Sequence, residues 1–483
     1  MRSEPGRPGR LELAALLGSL ALALALRLPL MGRGLEGDEL WTVLDFVNAP
    51  TWWETVSRVG GFNNHHFYSL LARLTEQALG RSEWVLRLPA LLFGVGLIPL
   101  VWWGLRREFG RWIAGLAALL LASSSIHIGL SVTARGYSAL IFFTWCSTLL
   151  FIPMLRQASG WRNPVLFALL SALGIWSHLY GVMVLGVQGL LLALLSLRQM
   201  RRYDLASAWA RFRWPLLGVA GAGLLSALLY APAAAELFVN LHGPRSGFEP
   251  RLPVRLLTYL VGGPLNPAAI LLAALMVAGL GLALRGRPLE TWYTVLLFAV
   301  PLLMVWVGRP EFVRTRFFVF LLPFTALGLA AAAERVWRLG QGTPARSSWS
   351  AGAARVLTMA LLAAAAWQWS ARVWSNVPSG GWRAAARALE APPPRPDARV
   401  ATCAIGYGTR FYAWYTNAPV LDPRSLEEFM ALRKNHDVVR CAWRRAGIDP
   451  PGHAAIRGFL ETRCGPPEQL REIRVFTCDA RKP

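Results

Sequence analysis

Two neighbouring acids, Asp38-Glu39, are followed by Asp45 and then by a histidine pair in Asn63-Asn64-His65-His66-Phe67-Tyr68. Farther along stand Arg135 and Tyr137 in Ala134-Arg135-Gly136-Tyr137, His178 and Tyr180 in Ser177-His178-Leu179-Tyr180, and Arg309, Arg314 and Arg316 around Glu311. A carboxylate beside a hydroxyl can remove its proton in the transition state, a contribution of about 10²–10⁴-fold. Guanidiniums hold phosphate through their planar fork of donors. Together these types suit an anionic head group and a reaction that needs a base. Each residue also has an ordinary reading. Asp38 and Glu39 can be a solvated loop start or a helix cap, and His65 and His66 simple interfacial residues. Arg135 and Arg27 can snorkel from span ends, the arginines near Glu311 can pair with it, and His178 can be a packed, hydrogen-bonded side chain.

The elements that must position these groups are membrane spans. Of 483 residues, 54% are hydrophobic and only 16% charged, against about 25% charged in soluble domains. A helical span needs about 20 apolar residues, and the sequence predicts eleven spans, near 11–30, 86–105, 112–128, 135–155, 163–179, 181–197, 214–232, 266–284, 291–308, 317–334 and 355–374. That excludes a soluble enzyme, a disordered chain and a small disulfide scaffold. The net charge of +23 would suggest nucleic acid in a soluble protein. Here the arginines fall in alternate loops, as cytoplasmic loops require, and no nucleic-acid motif is present, so no such partner is expected. Arg2, Arg7 and Arg10 place the N-terminus inside. Arg106, Arg107 and Arg111, then Arg156 and Arg162, then Arg285 and Arg287 continue the alternation. The first span has the basic start of a signal peptide but too long an apolar run, and reads as a retained anchor. An odd span count puts the C-terminal segment outside, and every residue of the opening paragraph then falls on the outer face, with a long first outer loop at 31–85.

Residues 1–374 therefore read as a transmembrane domain and 375–483 as a small extracytoplasmic α/β domain. In the latter, apolar runs at 398–405, 437–443 and 472–478 predict strands, and amphipathic stretches at 381–391 and 425–434 predict helices. Cys403, Cys441, Cys464 and Cys478 fall there, and four thiols on an exported domain predict two disulfides in one of three pairings. No Cys-x-x-Cys spacing supports zinc.

At these same residues the chain resembles the GT-C membrane glycosyltransferases, and more narrowly the family 39 group of protein O-mannosyltransferases and aminoarabinose transferases. Gly37-Asp38-Glu39 is similar to that family's acid pair in the first outer loop. Asn64-His65-His66-Phe67-Tyr68-Ser69-Leu70-Leu71 resembles its Asn-His-Pro-Leu-Tyr type segment, with His66 where proline is usual. Arg87-Leu88-Pro89-Ala90, Ala134-Arg135-Gly136-Tyr137 and Arg316-Phe317-Phe318 through Pro323 follow in the family's order. The resemblance implies inverting transfer of a sugar from a polyprenyl-phosphate carrier to a hydroxyl of a lipid, glycan or protein acceptor, in the plasma (inner) membrane. It implies Asp38 as general base, Glu39 orienting it or the acceptor, and Arg135, Arg316 and His65 holding the carrier phosphate; Tyr137, His178, Tyr180 and Arg314, on the same predicted face, complete the expected lipid-phosphate and substrate site. Family members differ in metal dependence; the sequence offers no metal cage, and a divalent metal stays an option. A lipid or glycan flippase is the alternative from another class, disfavoured by the lack of repeated halves, and a membrane scaffold with a partner-binding outer domain is a third.

Overall fold

The structure, a computed structural model, describes residues 8–156, 160–242, 249–309, 313–339, 352, 356, 381–406, 409–416, 419–444 and 451–479. By contact the chain divides into two units: Met1–Met31 with Ala49–Val377, and Gly32–Asn48 with Pro378–Pro483. The segment that carries Asp38 and Glu39 is thus grouped with the C-terminal residues.

In the first unit, α1 is Arg10–Met31. After α2 (Gly37–Thr42), which belongs to the other unit, come α3 (Trp52–Ser57), α4 (His66–Leu79), α5 (Glu83–Phe109), α6 (Arg111–Ser123) and α7 (Ser125–Ser131). There follow α8 (Tyr137–Arg156), α9 (Arg162–Ser177), α10 (Gly181–Arg202), α11 (Leu205–Tyr230), α12 (Ala234–Leu241), α13 (Leu252–Leu260), α14 (Pro267–Leu284), α15 (Pro288–Gly308) and, after a 3₁₀ turn at Thr315–Leu321, α16 (Leu322–Leu339). Local chemistry starts and stops them. Ser82, Ser124, Asp204 and Asn266 cap helix N-termini through their side chains, each satisfying an amide that has no partner inside its helix. Small residues set the packing where α14 meets α16: a Cβ on Gly279 would fall 1.9 Å from the Gly328 carbonyl oxygen, so only glycine permits that approach.

Among the described residues, eight helices are long and apolar enough to cross a membrane. The protein is a multi-pass membrane protein. The eleven expected spans need three comments. The one at 112–128 is the broken pair α6 and α7, bent by 61°. The one at 163–179 is α9, a helix of 16 residues. The one at 355–374 lies outside the described residues.

Arg27 does not snorkel. It is fully buried and donates to the carbonyls of Ala122 at 2.9 Å and Leu121 at 3.4 Å, and to Ala23 at 3.0 Å. The first two lie in the last turn of α6, where carbonyls lose their helical partners. With no water at membrane depth, such groups must be paired by protein, and Arg27 pairs them.

The second unit has a four-stranded sheet in the order β1-β2-β4-β3. The strands are β1 (Val400–Gly406), β2 (Val438–Arg444), β3 (Glu468–Leu470) and β4 (Ile473–Asp479); β1 is parallel to β2, and the other pairings are antiparallel. The three apolar runs expected as strands are β1, β2 and β4. Helices α17 (Gly381–Leu389), α18 (Leu426–Asn435) and α19 (Pro451–Arg463) accompany them; the first two fall on the amphipathic stretches. Segment Gly32–Asn48 is tied in by side chains. Arg410 holds Asp45 with two bonds of 2.7 and 2.9 Å, Leu35 N–H donates to Tyr415 Oη at 2.6 Å, and Arg383 donates to the Gly32 carbonyl at 3.0 Å.

Of the two expected disulfides one forms, Cys464–Cys478. Cys403 and Cys441 are buried and reduced. They are register partners on neighbouring parallel strands, where side chains leave the sheet side by side rather than toward each other as a disulfide requires. Burial first, then the hydrogen bond with Cys403, holds the Cys441 thiol well above its usual range.

Candidate active site

Of the residues expected to bind an anion, all but Arg314 come together in the first unit. Arg135 lies just before α8, buried, and donates through Nη1 to Asn63 Oδ1. Its guanidinium carbon stands 5.9 Å from the ring centre of Tyr137, and that of Arg316 stands 5.7 Å from the same ring. Both distances are within the range in which a cation feels an aromatic face. Tyr137 is 2% exposed, and its hydroxyl has no hydrogen-bond partner among the described residues. Its ring also meets His65 at 5.0 Å and His178 at 5.1 Å. Tyr180, at the start of α10, reaches His178 at 5.6 Å and Phe317 at 4.7 Å.

Hydrogen bonds decide which nitrogen of each histidine carries the proton. His65 Nδ1 lies 3.0 Å from the Ser177 carbonyl; a carbonyl only accepts, so Nδ1 donates and Nε2 keeps its lone pair. His178 Nδ1 accepts from Tyr180 N–H at 3.2 Å, so its proton sits on Nε2. Burial, and then the charge of Arg135, hold His65 well below the usual imidazole range, so the ring is neutral.

The local sequence explains the closeness. Gly136 separates Arg135 from Tyr137, and a Cβ there would fall 2.2 Å from the Ser177 oxygen and 2.9 Å from His65 Nδ1. Asn64 donates to the Thr55 and Arg58 carbonyls at 2.8 and 2.7 Å and accepts from Ser69, which fixes the start of α4. His66 takes the first helical position of α4, a place that proline tolerates well. Its ring is buried against Trp176 and Tyr230, and burial holds it at about 4.

Arg314 does not join the cluster. It is exposed at the start of the 3₁₀ turn, two residues before Arg316, with no hydrogen bond or ring contact to the cluster among the described residues. Two residues that the sequence did not single out do belong. Asn63 receives Arg135; its amide beside the histidines was the available signal. Tyr259 of α13 interacts electrostatically with Tyr137 and Arg316; nothing in its short amphipathic helix marks it.

The acids belong to the second unit. Glu36 caps α2, and Glu39 returns its side chain to the Glu36 N–H at 2.8 Å, a reciprocal capping box. Glu39 is 2% exposed, whereas Asp38 is exposed. Burial, then the charge of Glu39, raises Glu36 to about 7. Among the described residues no group of three His, Cys, Asp or Glu side chains comes together as metal ligands would.

The two ends of the first unit differ in kind. Arg106 pairs with Glu12 at 2.6 Å, and Arg156 and Arg287 both pair with Glu108, at 2.8 and 2.9 Å. These ion pairs tie together ends of α1, α5, α8 and α15 that carry the basic loops. Tyr137 and Arg156 are the two ends of α8, 20 residues in length, or about 30 Å apart along the axis. The aromatic, histidine and arginine cluster therefore stands at the opposite end from the ion pairs.

Residues 66–232 match the family described as dolichyl-phosphate-mannose-protein mannosyltransferase. No curated protein matches the chain by sequence. In fold the chain is similar to ArnT from Cupriavidus metallidurans in the apo state, with 15% identity, 96% of this chain and 98% of that one covered, and a TM-score of 0.58. It is similar to the same protein bound to undecaprenyl phosphate, with 15% identity, 97% of each chain covered and a TM-score of 0.59. The archaeal oligosaccharyltransferase AglB from Archaeoglobus fulgidus, in complex with an inhibitory peptide and a dolichol-phosphate, is 13% identical over 89% of this chain and 69% of that one, with a TM-score of 0.52. The multi-span bundle, the small C-terminal sheet and these likenesses identify the fold as GT-C, with residues 66–232 similar to the mannosyltransferase family model.

Proposed function

We propose that the protein is a membrane glycosyltransferase that moves a sugar from a polyprenyl-phosphate carrier to an acceptor hydroxyl, with inversion at the anomeric carbon. The observation that carries this reading is the sharing of the Tyr137 ring by the guanidiniums of Arg135 and Arg316. Two fixed cations beside a buried phenol hydroxyl and the His178 Nε2–H make a donor-rich, water-poor anion site. The lipid phosphates held by ArnT and by AglB support the choice of anion.

The chemistry follows from these groups. A base takes the acceptor's proton, the oxygen attacks the anomeric carbon from the face opposite the carrier, and the bond to the lipid phosphate breaks. Negative charge grows on the departing phosphate. Arg135, Arg316, Tyr137 and His178 would offer their donors to that charge, which would make their stabilisation greatest in the transition state. His65 offers only a lone pair at Nε2, so its role is to orient the cluster from the Ser177 carbonyl rather than to grip phosphate. We assign the base to Asp38, since the neighbouring Glu39 is buried and engaged in the cap of α2. The protein would sit in the plasma (inner) membrane with its N-terminus cytoplasmic and both the cluster and the C-terminal unit outside.

Proteoliposomes supplied with a radiolabelled polyprenyl-phosphate sugar and a mixed envelope extract as acceptor test this reading. A new glycosidic product from the parent, and at least about 10²-fold less from Asp38→Asn, is expected. Movement of carrier across the bilayer without any product would replace transfer with flipping.

A further inference from the structure

Glu236, on α12, belongs to none of the motifs. Its two carboxylate oxygens accept from successive backbone amides, Val59 N–H at 2.7 Å and Gly60 N–H at 2.8 Å. The carbonyls of the same two residues accept from Asn64 N–H and Asn63 N–H, each at 3.0 Å. Val59 and Gly60 are thus gripped on one side by a carboxylate and on the other by the residues that enter the cluster.

Between these bonds the chain runs through a left-handed turn, with φ of 56° at Gly60, 59° at Gly61 and 63° at Phe62. The glycines take that conformation at little cost. Phe62 does not, and a side chain in that region persists only where its surroundings over-determine it. Phe62 itself is 42% exposed, so packing does not supply the restraint. Charge-assisted bonds that the two amides donate to a carboxylate are the strong contacts available there.

The turn delivers Asn63, whose Oδ1 accepts from Arg135 Nη1. We infer that Glu236 is a positioning residue for the anion site: by holding Val59 and Gly60 it sets Asn63, and Asn63 aims the Arg135 guanidinium. The inference rests on the reading of Arg135 as a ligand of the lipid phosphate. Glu236 touches no reacting atom. It acts across 177 positions of sequence, from the helix that follows α11 to the loop before α4.

A double-mutant cycle tests it, with undecaprenyl phosphate as the probe and the full chain in detergent. Dissociation constants are measured for the parent, Glu236→Gln, Arg135→Ala and the double variant, each checked for an unchanged melting profile. Glu236→Gln should weaken binding roughly tenfold in the parent, within the coupling usual for one hydrogen-bond network, and should add nothing in the Arg135→Ala background. Equal losses in both backgrounds would overturn the inference and leave the phosphate site standing. Unchanged binding in Arg135→Ala would overturn the site and the inference together. Should Glu236→Gln fail to fold, Glu236→Asp, which keeps the charge but withdraws it by one methylene, runs through the same cycle with the same expected coupling.

Discussion

The rings of His65 and His178 lie 4.8 Å apart between centroids, and their hydrogen bonds fix opposite tautomers, Nδ1–H on the first and Nε2–H on the second. Each therefore has a different amide substitute, since asparagine reproduces a donor at the Nδ1 position and glutamine one at Nε2. His178→Gln should keep most transfer activity, and His178→Asn should lose up to about tenfold, the worth of one neutral hydrogen bond. At His65 the order reverses, with asparagine the better tolerated. Steady-state transfer rates for the four variants check the pattern, and equal tolerance of both amides at either site would contradict the tautomers.

Gly136 has no room for a methyl group. Its Cβ would sit 2.2 Å from the Ser177 carbonyl oxygen, a backbone atom that cannot swing aside. Gly136→Ala should destabilise the protein by about 1–3 kcal/mol, as overpacking does, and should lower activity further by pushing Arg135 and Tyr137 apart. Melting in detergent and donor KM, measured on the same preparation, read the two effects separately.

Arg27 is expected to matter for folding rather than for chemistry. Arg27→Met keeps the apolar stem but leaves the Ala122 carbonyl at the α6–α7 break without the Arg27 donor, while the Leu121 carbonyl keeps His127 Nδ1 at 3.0 Å. A buried group so stranded costs about 1–3 kcal/mol. A clear drop in melting temperature, with the transfer rate per folded molecule largely kept, is the predicted result.

The raised carboxyl of Glu36 makes the second unit sensitive to pH. Burial, and then Glu39, lift it from 4.5 to about 7, so the folded chain holds a proton that the unfolded chain releases. The stability from this group is complete below pH 4.5 and is lost as pH rises through about 7. Glu36→Gln, permanently neutral, should flatten the fall in melting temperature over that window, and an unaltered slope would rule the group out.

The cysteines give a chemical check on the second unit. Alkylation followed by non-reducing mass spectrometry should find Cys464 joined to Cys478 and should label Cys403 and Cys441 only after unfolding. Reduction opens a loop of 14 residues, which in the chain-entropy treatment removes about 3 kcal/mol.

Much of this architecture is written in local pattern. Apolar run length sets the long helices, and the alternating arginines place the ion pairs of Arg106, Arg156 and Arg287 at one end. Strand-length apolar runs locate β1, β2 and β4. What local pattern misses is long-range satisfaction of polar groups. Arg27 near a span end reads as snorkelling because the orphan carbonyls it serves lie 94 and 95 residues away. The second disulfide was expected from thiol count, but register in a parallel pair turns Cys403 and Cys441 side by side. Grouping of Gly32–Asn48 with the C-terminal residues depends on Asp45 meeting Arg410, 365 positions on, and neither residue advertises the other. In the cluster, Arg135, Tyr137, His178 and Arg316 were legible as residue types on one predicted face. Asn63 carried a signal only in standing beside the histidines, and Tyr259 and Glu236 carried none, since their contribution comes only through partners brought close by the fold.

The most direct measurement is kcat/KM for transfer from a polyprenyl-phosphate sugar by Arg135→Ala, Arg316→Ala and the double variant. If both guanidiniums stabilise the departing phosphate across Tyr137, each single change should cost about 10²–10³-fold, and the double change should cost less than the product of the two. Transfer at the parental rate by the double variant would contradict the account.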